Sequence, residues 1–420
     1  MTAYRFRKGS FSPDSPAWAM VVAQAYTDKE HPACLCRSSG AAPTMYIARH
    51  QETHIIKRMP FSGCKHAAHC DHYEPPPELS GLGQVAGAAI REDDERDITT
   101  LNLDFALTKG APRAAPVASD TEHESVRSDG TKLTLRATLH YLYDQAALTR
   151  WTPKMRGKRS WGVVRRELIN AAANKMTKGK FLNEALYIPE TFNSSGVDAM
   201  AARRNTHLAP LAASASTRMI VIAPYKVLEH ARFGYKLLLK HMPDMALQVS
   251  EDLHKRMQKN FSDQLALWSN FEQSHMLVIG TISRQQTGLF NLESVCLINV
   301  TENWIPFDSS GEYALLHELT AQDRQFTKGL RYNLPSSKPL ASIVLQDSVG
   351  DPTAMYLIPT AAASEYERAA RELAASSDLK SWWWRAGAES MPMLPAKQAP
   401  TGKHGTAGAV TSVSAHVPTA

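Results

Sequence analysis

Four of the chain's five cysteines and five of its sixteen histidines fall between Cys34 and His72, and no other stretch restricts the fold as strongly. It reads Cys34-Leu35-Cys36, two short apolar runs, then Cys64-Lys65-His66-Ala67-Ala68-His69-Cys70-Asp71-His72. Two sulfur ligands one residue apart, followed by a second Cys/His group, match the donor set of a tetrahedral structural zinc site. Met45 to Arg49 and His54 to Met59 alternate in the manner of strands about the polar Gln51-Glu52-Thr53, which predicts a hairpin. The hairpin returns the chain to Cys34 and Cys36, with Gly63 permitting a turn before the second ligand group. A short helix over Lys65 to Asp71 would place His66 and Cys70 at i and i+4, on one side. The expected ligands are Cys34, Cys36, His66 and Cys70. A rival set, Cys34, Cys36, Cys64 and His66, copies the order of SWIM-type zinc modules, and His69 and His72 are spare donors. No carboxylate stands nearby as a general base and all four positions are filled, so the expected Zn2+ is structural rather than catalytic.

Cys34-Leu35-Cys36, Met45-Tyr46-Ile47-Ala48-Arg49, Lys57-Arg58-Met59-Pro60, His66-Ala67 with Cys70, and Tyr73-Glu74-Pro75-Pro76 together resemble the opening of a bacterial family catalogued as domain of unknown function 1173. The likeness continues through Trp161-Gly162-Val163-Val164, Tyr187-Ile188-Pro189 and Lys328-Gly329-Leu330-Arg331-Tyr332. The resemblance implies a setting in integrating conjugative elements and other mobile DNA, without a defined activity. It also favours His66 with Cys70 over Cys64.

At 420 residues, 43% of them hydrophobic and 21% charged, the chain has enough interior for two to four domains. No apolar run approaches the roughly 18 to 20 residues that span a bilayer, so no membrane partner is expected. Ala17 to Ala23, after Arg5, Arg7 and Lys8, is the nearest to a signal peptide. Ser15 as an N-cap with Pro16 at the first helical position reads instead as an ordinary amphipathic helix. Clustered thiols at metal spacing point to a reducing compartment, here the cytoplasm.

Between Arg150 and Lys180 the chain holds ten basic residues against the single acid Glu167, a net of +9 where the whole chain carries +6. Arg150, Lys154, Arg156, Lys158, Arg159, Arg165 and Arg166, interleaved with Trp151 and Trp161, form the candidate nucleic-acid-binding set. DNA is the expected partner ahead of RNA. Leu135, Leu139 and Leu142, then Val164 and Leu168, recur at helical spacing, so two helices flank a basic loop, an arrangement compatible with a helix-turn-helix or winged-helix module.

After Met219 the pattern predicts alternating elements: strands at 219–223, 246–249, 276–280 and 294–300, with helices near 226–240 and 250–268. Gly280-Thr281-Ile282-Ser283 lacks the glycines and lysine of a phosphate loop. From Glu312 the order reads helix, three short strands at 327–332, 341–346 and 353–359, helix at 363–375, and an aromatic strand at 381–385. That α-β-β-β-α-β succession resembles the core of PD-(D/E)xK nucleases, without their paired acids and lysine. Glu312, Asp347 and Asp351 are displaced candidates for an alternative, metal-dependent nuclease.

The fold class expected is α/β, more fully a multidomain α+β chain. Its parts are an N-terminal helix and zinc module over 1–78, a strand and linker over 79–130, and a basic helical domain over 131–210. An α/β segment over 211–302, a nuclease-like domain over 303–392 and a disordered tail over 393–420 complete it. The function expected is nucleic-acid binding by a non-catalytic accessory protein of a mobile genetic element, in contact with that element's other proteins. The third alternative is a protein-interaction scaffold.

Overall fold

The computed structural model describes residues 3–50, 53–59, 61–93, 97–108 and 130–398. The linker expected over 109–130, but for its last residue, and the expected tail from 399 onward lie outside them. Helices and strands are mixed, and most strand pairs are antiparallel.

The centre of the molecule is a closed barrel of five strands, taken in chain order as Met219–His230, Tyr235–Leu239, Leu247–Val249, His275–Arg284 and Phe290–Val300. The first pairs with the second, the second with the third, the third in parallel with the fifth, the fifth with the fourth, and the fourth with the first. The run Met219-Ile220-Val221-Ile222-Ala223 is apolar without alternation because it is covered on both sides. Met219, Val221 and Ala223 face the barrel interior with Leu237, Leu247 and Val278. Ile220 and Ile222 face outward against Leu139, Leu142, Val164 and Leu168 of the helices Leu135–Gln145 and Trp161–Ala172.

The barrel overturns the helix expected over 226–240, which is a hairpin. Leu237 and Leu239 alternate into the core, and Gly234 turns the chain at φ +70°, where an added Cβ would lie 2.7 Å from the Val249 carbonyl oxygen. A run of leucines suits either element; the neighbouring strands decide it. The helix expected over 250–268 is two, Glu251–Asn260 capped by Ser250 Oγ and Ser262–Asn270, broken at Phe261.

A second sheet holds, in spatial order, Lys380–Ala386, Thr353–Pro359, Ile343–Leu345, Phe326–Lys328 and Arg150–Trp151. Helices Ser310–Ala321 and Ser364–Ala375 precede its Phe326–Lys328 and Lys380–Ala386 strands. The basic segment therefore contributes a strand to the C-terminal sheet, with Trp151 buried among Phe326, Ile343 and Trp384. A strand between the two helices removes the expected helix-turn-helix. Trp382 and Trp384 are core residues whose indole N–H groups donate to the Met393 and Glu389 carbonyls, while Trp383 stacks on Tyr356. Residues 393–398, expected to open a disordered tail, are strapped down: Arg324 donates to the Pro395 carbonyl and Lys397 to that of Asp323.

At the N-terminus, the hairpin Tyr4–Phe6 with Gly9–Phe11 precedes the helix Trp18–Thr27. That helix starts later than Ser15 and has no side-chain cap. Among the described residues, no helix is long and apolar enough to cross a membrane.

Candidate metal centre and the cavity behind it

Cys34 ends the strand Ala33–Cys34, which pairs with Tyr4–Phe6. Its N–H donates to the Pro43 carbonyl. The hairpin Met45–His50 with Thr53–Arg58 then carries the chain back, as the alternation predicts; its turn residues 51 and 52 lie outside the described residues. The second ligand group differs from expectation. The helix over Lys65 to Asp71 is absent, replaced by the single 3-10 turn Gly63–Lys65 and an extended His66 at φ −81°, ψ 159°. The N–H groups of Ala67 and His72 donate to Cys36 Sγ at 3.3 Å and Cys70 Sγ at 3.4 Å rather than to carbonyls one helical turn back. Gly63 is required because a Cβ there would lie 2.6 Å from Glu74 Cβ.

Cys34, Cys36, His66 and Cys70 are all buried, and their ligand atoms lie within 4.8 Å of one another. Cys34 Sγ is 3.8 Å from Cys70 Sγ, far outside disulfide length. His66 Nδ1 is 3.6 Å from Cys36 Sγ and 3.7 Å from Cys70 Sγ. A tetrahedral ion with metal–sulfur bonds of about 2.3 Å and metal–nitrogen bonds of about 2.0 Å separates its sulfurs by about 3.8 Å, and sulfur from nitrogen by about 3.5 Å. The cluster could therefore hold a metal ion, and its dimensions are compatible with zinc. The hydrogen bond with Cys70 and burial push the Cys34 thiol well up. A divalent cation reverses that cost, because a coordinating thiol is deprotonated outright. Cys64 is exposed and outside the cluster. His72 is also outside it, with Nε2 2.6 Å from the Tyr4 hydroxyl. Among the described residues no other group of three or more His, Cys, Asp and Glu side chains is close enough to share an ion. Glu312, Asp347 and Asp351 are thus not brought together.

The centre is tied to the rest of the molecule through Arg150, whose guanidinium donates to the carbonyls of Asp71 and Tyr73 beside Cys70. Behind it lies a polar cavity of about 440 Å³. Lys57 from the hairpin grips both oxygens of Asp97 at 2.8 Å. Lys175 Nζ lies 3.2 Å from Thr99 Oγ1 and 3.3 Å from Gln145 Oε1, and burial pushes its ammonium down to about 8. Burial, with Glu74 nearby, pushes the Asp144 carboxyl up to about 6, although Tyr332 and Thr149 donate to it. The spacing of these groups in the sequence carries no signal; only the fold assembles them.

Asp144 makes stability fall with rising pH. The folded chain holds this proton to higher pH than the unfolded chain, so between about pH 4 and pH 6 the native state binds more protons, at a cost of roughly 3 kcal/mol above that window. Asp144→Asn, neutral throughout, is expected to lose this dependence in urea unfolding at pH 4.5 and pH 7. Comparison with the parent chain at each pH cancels the other groups, and equal slopes would refute the assignment.

The seven candidate nucleic-acid residues separate. Arg159 is held by the carbonyls of Leu148, Arg150 and Asn303 and lies over Trp151. Arg165 Nε donates to the Ile188 carbonyl at 3.0 Å. With Arg150, these two bind the chain's own backbone. Lys154 and Lys158 are exposed, Arg156 forms a half-exposed pair with Asp323 at 2.9 Å, and Arg166 pairs with Glu167.

A family model described as "Protein of unknown function (DUF1173)" matches residues 4–387. No curated protein and no solved structure matches the chain.

Proposed function

The chain belongs to this family of unknown function, DUF1173, and on that premise we propose that it is a zinc-stabilised, non-catalytic nucleic-acid-binding protein. Its place is as a cytoplasmic accessory to the DNA-handling machinery of a mobile genetic element. The observation that carries the zinc is the buried Cys34, Cys36, His66 and Cys70 cluster, three of whose ligand separations match the edges of a tetrahedral site. In this reading the ion fixes Asp71 and Tyr73, on which Arg150 anchors the N-terminal module to the C-terminal sheet. The basic set supports polyanion binding through the exposed turn residues Lys154, Arg156 and Lys158, while Arg166, also exposed, is paired with Glu167. Charge reversal at the three turn positions is expected to weaken salt-sensitive gel shifts of DNA at two ionic strengths, with RNA in parallel. Arg159 is left intact because it holds the fold. Unchanged shifts would remove these residues from the interface.

The element order of residues 310–386 supports a second reading, a nuclease-like scaffold. Glu312 is bonded to Lys328 and Asp347 to Arg324 and the Gln325 N–H, so both acids are engaged in holding the structure. Metal-dependent cleavage lost on Asp351→Ala, at an exposed turn, would favour an active nuclease. Asp347→Ala is the poorer probe, since it strips a buried arginine of its partner.

A further inference from the structure

The order of the barrel strands, 1-2-3-5-4-1 with the third and fifth parallel, is that of the Greek-key barrel whose second and third strands bind oligonucleotides or oligosaccharides in other proteins. Topology alone names no ligand; the side chains on the first hairpin do.

Phe233 stands at the tip between the first two strands and is 81% exposed, where the next exposed aromatics, Tyr26, Phe192 and Phe181, show 41%, 39% and 38%. The turn needs Gly234 for its positive φ, but nothing in the barrel needs a phenyl ring in water. The Arg232 guanidinium lies 5.4 Å over that ring, so the tip presents a flat apolar face with a cation on it. Between residues 226 and 240 there are four basic side chains, Lys226, Arg232, Lys236 and Lys240, against one acid, Glu229, which pairs with Lys236 at 3.0 Å. The exposed cations run from Arg232 at the tip to Lys226 and Lys240 at the base. The six residue steps from Arg232 to Lys226, at about 3.3 Å each, make about 20 Å of ribbon, the length of about six bases at about 3.4 Å each. An aromatic platform beside a line of cations suits the faces of unpaired bases and their phosphates. A paired duplex hides its base faces, and an uncharged sugar chain would leave the cations unanswered.

We propose that the barrel binds single-stranded nucleic acid along the hairpin 219–239, with Phe233 stacked on a base and Arg232, Lys226 and Lys240 on the backbone. This rests on the nucleic-acid reading above and moves its principal site from the basic segment to the barrel. The test is fluorescence anisotropy of the full chain with a labelled oligothymidylate of about 16 nucleotides and with a duplex of equal length. The single strand is expected to bind more tightly. Phe233→Ala is expected to weaken it about tenfold, by the stacking energy of one base, and Arg232→Glu further. Both positions are exposed, so the fold is unaffected. The inference is overturned if the duplex binds better, or if both substitutions leave single-strand affinity unchanged while charge reversal at Lys154, Arg156 and Lys158 removes it; the broader reading then stands. No binding to either probe overturns both.

Discussion

Cys34→Ser is expected to empty the proposed N-terminal zinc site and unfold the module from Tyr4 to Glu74. The apolar core of this module is small, built on Tyr4, Phe6, Val21, Val22, Ala25, Met45 and Tyr73 around the ligands themselves, and a core of that size is marginal on its own, rarely supplying more than about 3 to 5 kcal/mol. Structural zinc contributes apparent binding energies of roughly 10 to 16 kcal/mol in small domains at neutral pH, more than those few side chains supply. The expected readout is zinc content falling from one ion per chain to near none, with proteolysis appearing at the Met45–Arg58 hairpin. Cys64→Ser is expected to keep the ion, since Cys64 lies outside the cluster. Zinc lost from Cys64→Ser and retained in Cys70→Ser would reinstate the rival ligand set and end the present assignment.

Lys328→Met is expected to destabilise the C-terminal region by about 3 to 5 kcal/mol, the cost of leaving a buried charge without its partner. Lys328 Nζ lies 3.0 Å from Glu312 Oε1, and both side chains are nearly inaccessible, at 2% and 5%. Glu312 Oε2 also accepts the Asp308 N–H at 2.8 Å, which holds the carboxylate but does not neutralise it. Replacing both, as Glu312→Gln with Lys328→Met, is expected to cost much less than the two single changes together, because no unpaired charge remains. Urea denaturation of the parent, both single variants and the double variant measures the difference. Additive effects would show that the two side chains do not act as a pair.

The fate of the basic segment shows how far charge counting reaches. Ten cations in a short span is a property of the sequence, yet Arg150, Arg159 and Arg165 bond to backbone carbonyls inside the molecule. Arginine's long stem and five donors make it as suitable for stitching a fold as for gripping a phosphate. Of the candidate set, Lys154, Arg156 and Lys158, carried on a turn, and Arg166, paired with Glu167, keep the exposure that the composition suggests.

The zinc-type donor set, its hairpin and the C-terminal succession of helices and strands were legible from the chain alone. Each rests on short-range chemistry: sulfur and imidazole at ligand spacing, strand alternation about a polar turn, and apolar periodicity. The conformation that delivers His66 and Cys70 was not legible, because it depends on Ala67 and His72 N–H groups finding sulfur instead of carbonyl oxygen. Nor was the barrel, since Lys226 to Lys240 has the composition of a helix and becomes a hairpin only where the strand Leu247–Val249 pairs with its second arm. Local preference is worth tenths of a kcal/mol per residue, and barrel closure, which satisfies the backbone of five strands at once, outweighs it.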